Sequence, residues 1–225
     1  MIDTTSGVGM LLAHTAAAGA AEFPTFPWSI RKSALQLGQP MPQMGFGQLC
    51  RASASGSLAG AGVIGIQLTS QGLLERRLSQ VESLGSWGIL ISSMIVAGIS
   101  APVMALHNGY SMGLPARETL RRLTWSQGSM IAGREFGFLQ GVAMSQPLTE
   151  YLEAVMGEGP ASRWSASLLS GTLGGIFGHP ADTILTCWQR GNAPPSFRYL
   201  MRGVAPRTTG IALFTLFYNE MKRHL

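Results

Sequence analysis

The chain has 225 residues, of which 46% are hydrophobic and only 12% are charged, and its formal net charge at pH 7 is +5. An ordinary soluble domain carries about a quarter charged residues, roughly twice this share. The composition excludes a disordered chain and a coiled coil. It also excludes a nucleic-acid-binding module, because the positive balance reflects scarce acids rather than abundant bases. An integral membrane protein is predicted.

Long stretches without Asp, Glu, Lys or Arg predict helices that cross the membrane. Four of them cover residues 4–21, 52–74, 83–116 and 164–181. A spanning helix needs about 20 residues, and each stretch is close to that length or exceeds it. Two shorter stretches, 136–149 and 208–219, would span only if the charged residues at their ends snorkel or face protein. The sequence therefore predicts six membrane-spanning helices.

The loops between these stretches alternate in charge. Arginine is concentrated in the loops that follow the first, third and fifth stretches, whereas the other loops and the two termini together carry more acids than bases. Positively charged loops remain on the side of the membrane from which the chain is inserted. Both termini are then expected on the opposite side, as an even number of helices requires.

A similar segment ends the first and the fifth stretch. Residues 27–36 read PWSIRKSALQ and residues 180–189 read PADTILTCWQ, so each has a proline nine positions before a glutamine. The third stretch ends in PVMALH at residues 102–107, which keeps the proline and ends in a histidine. Pro27, Pro102 and Pro180 follow one another at intervals of 75 and 78 residues, about a third of the chain. This spacing predicts three repeats of two helices, each with a kink where the proline removes a backbone donor.

On these residues the chain resembles the mitochondrial carrier family. In that family each odd-numbered helix ends in proline, any residue, an acid, two residues and a base, and residues 174–189 are similar to this element. Residues 202–207 and 218–222 are similar to the start and the end of the family's last helix. The resemblance implies an all-α membrane domain of six transmembrane helices in pseudo-threefold arrangement, with repeats near 1–77, 78–157 and 158–225. It also implies the mitochondrial inner membrane, with both termini on the intermembrane-space side.

The resemblance further implies ion pairs that close one end of the helix bundle. Here the single strong pair that can be drawn joins Lys32 to Asp182, and His107 is the conditional alternative partner. Gln36 and Gln189 follow at matching positions. The remaining acid and base positions are neutral. We therefore expect a gate or a static brace at these five residues, with fewer charges than a carrier gate has.

A second set of residues is expected to face either the cavity or lipid. It lies near the starts of the even-numbered helices and comprises Arg51, Arg134, Glu135, Arg202, Gly203 and Arg207. Charged groups at membrane depth are candidates for solute binding. Alternatively, the arginines mark the basic interface and contact lipid phosphates. Residues 202–203 resemble the family's lipid-anchoring element, so a bound cardiolipin or another anionic lipid is expected.

Two functions follow from these patterns. The preferred one is a transport-inactive accessory subunit of a larger inner-membrane assembly, because the gate is depleted and polar cavity residues are few. The alternative is an active solute carrier. Neither hypothesis involves catalysis, a metal, another cofactor or nucleic acid. The expected partners are membrane lipid and neighbouring inner-membrane subunits.

Overall fold

A computed structural model describes residues 6–81, 84, 87–111, 115–189 and 196–225, without the side chains of residues 107–111, 122 and 189. Within these ranges the chain is helical and contains no strand. The helices are α1 (Gly7–Gln36), α2 (Phe46–Leu78), α3 (Trp87–Ser111), α4 (Ala116–Arg122), α5 (Trp125–Ala143), α6 (Ser145–Met156), α7 (Pro160–Gln189) and α8 (Val204–His224), with a short 3-10 helix at Phe197–Tyr199. The predicted all-α class is confirmed.

The long helices pack against one another in chain order. α1 packs on α2, α2 on α3, α3 on α5, α5 on α7 and α7 on α8, and α8 returns to pack on α1. Helix α6 packs on α7, and the seven-residue helix α4 contacts α3. The first and last long helices are therefore neighbours.

Polar side chains are buried and large apolar side chains are exposed. Ile99 of α3 and Phe177 of α7 are each 73% exposed, and Leu58 of α2 is 81% exposed. Gln67 and Asp182, by contrast, are among the most buried side chains described. This is the reverse of a soluble domain, in which buried polar groups and exposed apolar patches are both unusual.

Two helices in the described part of the chain are long and apolar enough to cross a membrane. They are α2 and the segment Trp87–Leu106 of α3, with mean hydropathies of 1.2 and 2.2. Helices α1 and α7 are each 30 residues long but less apolar: α1 contains Glu22, Arg31 and Lys32, and α7 is rich in Gly, Ser and Thr. The absence of charged residues is thus a weaker criterion for a membrane-spanning helix than high hydropathy.

The fourth predicted helix differs most from expectation. Instead of a single stretch at 136–149, the structure has α5 and α6, which begin and end outside those limits and are separated at Met144. Pro147 explains the interruption, because it cannot donate to the carbonyl of Ala143 and its ring crowds that carbonyl. The earlier start places Arg134 and Glu135 inside a helix rather than at its end.

Glycine allows α5 and α7 to approach closely. A Cβ atom on Gly137 would lie 2.7 Å from the Cα atom of Gly178, and one on Gly141 would lie 3.2 Å from the Cα atom of Gly174. Small residues at four-residue spacing allow helix backbones to approach in this way. The contacts are with backbone atoms, which cannot move aside as a side chain would.

Replacing Gly137 with alanine is therefore expected to destabilise the protein by about 1–3 kcal/mol, the usual cost of overpacking. Thermal unfolding of the purified protein in detergent measures the change. The matched control is Gly98→Ala, because a Cβ atom at this exposed position in α3 has no neighbour within 4 Å. Equal melting temperatures for the two variants would contradict the close α5–α7 contact.

Candidate functional site

Asp182 lies in α7, two residues after Pro180, and is 1% exposed. Its carboxylate accepts from the Lys32 ammonium group of α1, with Nζ at 2.8 Å from Oδ2 and 3.1 Å from Oδ1. Gln36, one helical turn further along α1, donates from Nε2 to Oδ2 at 2.8 Å. Since residues four apart share one face of a helix, α1 presents both donors to the same carboxylate.

Two arginines also face Asp182. The Nη1 atom of Arg207, in the first turn of α8, lies 3.0 Å from Oδ1, and Nη1 of Arg134 in α5 lies 3.9 Å from the same oxygen. Gly203 at the start of α8 has a φ of 80°, in the left-handed region that favours glycine, and brings this turn beside α1. One buried carboxylate thus contacts cations from three other helices.

The side chain of Gln36 is held on both sides. Its Nε2 atom donates to the Thr183 hydroxyl at 3.0 Å, and its Oε1 atom accepts from the Thr186 hydroxyl at 3.0 Å. We call Lys32, Gln36, Asp182 and Arg207 the Asp182 cluster. Gln36, Asp182 and Arg207 are buried and Lys32 is nearly so, so each depends on the others for the hydrogen bonds that water would otherwise supply.

A second ion pair continues from the Asp182 cluster toward α2 and α3. Arg134 donates from Nε and Nη2 to Oε1 of Glu135, each at 2.6 Å. The other carboxylate oxygen of Glu135 accepts from Nε2 of Gln67 in α2 at 3.1 Å, and Gln67 also donates to the Ser100 hydroxyl of α3 at 2.9 Å. Polar contacts therefore connect the six helices α1, α2, α3, α5, α7 and α8.

Further polar contacts lie toward the other end of the bundle. Gln71 donates to Glu75 at 2.9 Å and to Ser93 of α3 at 2.8 Å. Asn219 of α8 donates to the Ser145 hydroxyl of α6 at 2.9 Å. These hydrogen bonds join neutral groups or a neutral group and one carboxylate. They connect helices without the ion pairs found around Asp182.

A cavity of about 570 Å³ opens beside the Asp182 cluster. We call it the polar cavity. Its ionisable lining residues are Glu22, Lys32, Arg134, Glu135, Asp182 and Arg207. Apolar side chains, among them Ile64 and Phe138, complete the wall. A concave space with a few convergent polar groups is the usual form of a small-molecule site.

The structure brings some of the predicted site residues together and leaves others apart. Lys32, Gln36 and Asp182 are in direct contact, as the aligned helix ends suggested. The side chains of His107 and Gln189 lie outside the described residues. Pro27, Pro102 and Pro180 lie inside α1, α3 and α7, and Pro24 is a further proline within α1.

The predicted cavity or lipid residues divide into two groups. Arg134, Glu135 and Arg207 belong to the interior network, whereas Arg51 is exposed on α2. The guanidinium of Arg202 is exposed and stacks 4.0 Å from the centre of the Tyr199 ring. Sequence reasoning missed that Arg134 and Arg207 are partners of Asp182, because it drew only pairs between matching helix ends.

In the part of the chain that the structure describes, no three His, Cys, Asp or Glu side chains are grouped as metal ligands. Comparison of the chain with protein-family models and with curated protein sequences finds no match.

Proposed function

We propose that the chain is a multi-pass protein of the mitochondrial inner membrane that has a carrier-like architecture but no transport activity. In this proposal it serves as an accessory subunit of a larger complex of the respiratory-chain or ATP-synthase type. Its six long spans would be α1, α2, α3, α5 with α6, α7 and α8. Support comes from the closed order of helix packing, the exposed apolar side chains and the buried polar network.

The observation that carries the proposal is the asymmetry around Asp182. A gate with three equivalent ion pairs can open by breaking pairs that exchange partners with water. Here Lys32, Arg134 and Arg207 all face one carboxylate, so moving α7 away would strand several charges at once. Removing the partner of a buried charge is much more costly than losing an exposed pair. The arrangement favours a static brace.

One feature favours the second candidate function, an active solute carrier. The polar cavity is large enough for a metabolite and is lined by both cations and acids. Transport would need this cavity to open alternately on each side of the membrane. The Asp182 cluster would then be the element that separates in one of the two states.

Purification and reconstitution distinguish the two functions. We expect the protein to leave the membrane in mild detergent together with other subunits, at a mass well above 23.9 kDa. The purified chain, reconstituted in liposomes, is expected to exchange none of a panel of metabolites, nucleotides and phosphate. Saturable exchange of any one of these solutes would favour the carrier.

An anionic lipid, cardiolipin in this proposal, is expected beside Gly203 at the start of α8. The free backbone donors and the partial positive charge of a helix N-terminus suit a phosphate group. Native mass spectrometry should detect the bound lipid, and Arg202→Gln should weaken its retention. Gly203→Leu should abolish it, although this variant also strains the backbone at positive φ and brings its Cβ atom 3.0 Å from the Lys32 carbonyl oxygen. Unchanged lipid retention in both variants would contradict the site.

A further inference from the structure

We propose that the polar cavity binds a small zwitterionic molecule, whose ammonium group is held by Glu22 and whose carboxylate is held by Arg207. This inference goes beyond a bracing role, and it requires no transport step. It rests on two charged side chains, one acid and one base, that face the same cavity with unused hydrogen-bonding capacity.

The acid is Glu22, in the middle of α1. Its Oε2 atom is buried against α2, and no described residue donates a hydrogen bond to it. The nearby hydroxyl of Thr25 does not help, because it donates to the backbone carbonyls of Ala21 and Glu22. Gly60 of α2 packs directly against the carboxylate, and even a methyl group there would overlap it. The absence of a side chain at Gly60 thus makes space for the Glu22 carboxylate. The carboxylate nevertheless lacks the hydrogen-bond partner that a buried charge requires.

The base is Arg207, whose side chain is 8% exposed. Its Nη1 atom is committed to Asp182, but its Nε–H group donates to no atom in the described part of the protein. An unused buried donor carries a desolvation cost that a ligand acceptor would remove. Arg207 also lines the cavity, so the guanidinium can keep its ion pair and bind a second carboxylate through its remaining N–H groups.

The net charge of the lining indicates what kind of ligand fits. When the ammonium group of a ligand keeps Glu22 ionised, the three cations Lys32, Arg134 and Arg207 are balanced by three acids, Glu22, Glu135 and Asp182. A ligand with a net charge would upset this balance in a region of low dielectric constant, where an uncompensated charge is costly. A zwitterion leaves the sum at zero and supplies both a donor for Glu22 and an acceptor for Arg207.

The space between the two groups limits the size of the ligand. Glu22 and Arg207 also line a smaller cavity of about 140 Å³, together with Lys32, Trp28, Phe138 and Phe214 among others. A water molecule occupies about 30 Å³ in the liquid, so this space holds a molecule of only a few heavy atoms. Glycine and β-alanine meet both the size and the charge requirement.

Binding of radiolabelled probes to the purified full-length protein in detergent tests the proposal. The probes are glycine and β-alanine, and their two charged halves are represented by acetate and methylammonium. We expect saturable binding of at least one zwitterion and none of either half at the same concentration. Glu22→Gln should weaken binding at least about tenfold, as expected for loss of a charge-assisted hydrogen bond. Glu158→Gln is the matched control, because Glu158 is exposed, lies between α6 and α7 and does not line the cavity. This variant should bind the probes like the wild type.

Gly60→Ala is a second test of the role of Glu22. Its methyl group should displace the Glu22 carboxylate without changing any charge, and the variant should therefore also bind the zwitterion more weakly. Saturable binding of acetate or methylammonium alone, absence of zwitterion binding, or unchanged binding in both Glu22→Gln and Gly60→Ala would overturn the proposal. The readout involves neither assembly nor flux. A failure here would therefore leave the accessory-subunit proposal standing, and a failure of that proposal would leave the binding result unaffected.

Discussion

Asp182→Ala is expected to lower sharply the amount of protein incorporated into its complex. The substitution leaves Lys32 and Arg207 without their carboxylate partner. It also removes the second acid near Arg134, which keeps its closer partner Glu135. Removing one partner of a buried ion pair typically costs about 3–5 kcal/mol. Blue-native electrophoresis of membranes measures the incorporated fraction, and thermal unfolding measures the stability of the purified variant.

A second substitution tests whether stranded charge is the cause. Lys32→Met in the Asp182→Ala background removes one of the stranded cations and should restore part of the lost incorporation. Recovery should be partial, since Arg207 remains. If Asp182→Ala assembled normally and only abolished solute exchange in liposomes, the cluster would be a gate and the protein a carrier.

Glu135→Leu is expected to have the next largest effect. The Glu135 carboxylate is the close partner of Arg134 and accepts from Gln67, so its removal strands a guanidinium and an amide donor together. We expect a loss of up to about 3–5 kcal/mol in the free energy of unfolding. Asp182, at 3.9 Å from Arg134, should offset part of this loss.

The matched control is Glu220→Leu. Glu220 pairs with Arg223 in the last turns of α8, but both side chains are about one-third exposed. A pair of this kind contributes about 0–1 kcal/mol. Chemical denaturation in detergent should therefore separate the two variants clearly. Similar losses for Glu135→Leu and Glu220→Leu would mean that water reaches the interior pair.

The sequence predicted the positions of the helices better than their limits. Windows without charge located α1, α2, α3, α7 and α8, because an interior poor in charge is a property of composition along the chain. The same criterion placed the fourth helix too late. Arg134 and Glu135 set the start of the charge-free window, although they lie inside α5 and neutralise each other there. A sequence window cannot tell a charge at an interface from a charge paired within the bundle.

The site was predicted in part for a similar reason. Lys32 and Asp182 were linked because they occupy matching positions after Pro27 and Pro180, which a one-dimensional comparison can detect. Arg207 has no counterpart in that pattern, since it comes from the start of an even-numbered helix. Its contact with Asp182 depends on the close packing of α7 on α8. Only the three-dimensional arrangement supplies that information.

Lys32 and Asp182 are 150 positions apart in the sequence, so the ribosome makes the lysine well before its carboxylate partner. At about 5–20 residues per second, α7 emerges roughly 8–30 seconds after the lysine has been made. During this interval the nascent chain carries a cation whose permanent counter-ion has not yet been translated. Helix α8 follows later still, with the arginine that completes the set. The contact between α1 and α8 can form only after both helices have been made. A chain that stops before α7 therefore retains a lysine without its carboxylate partner.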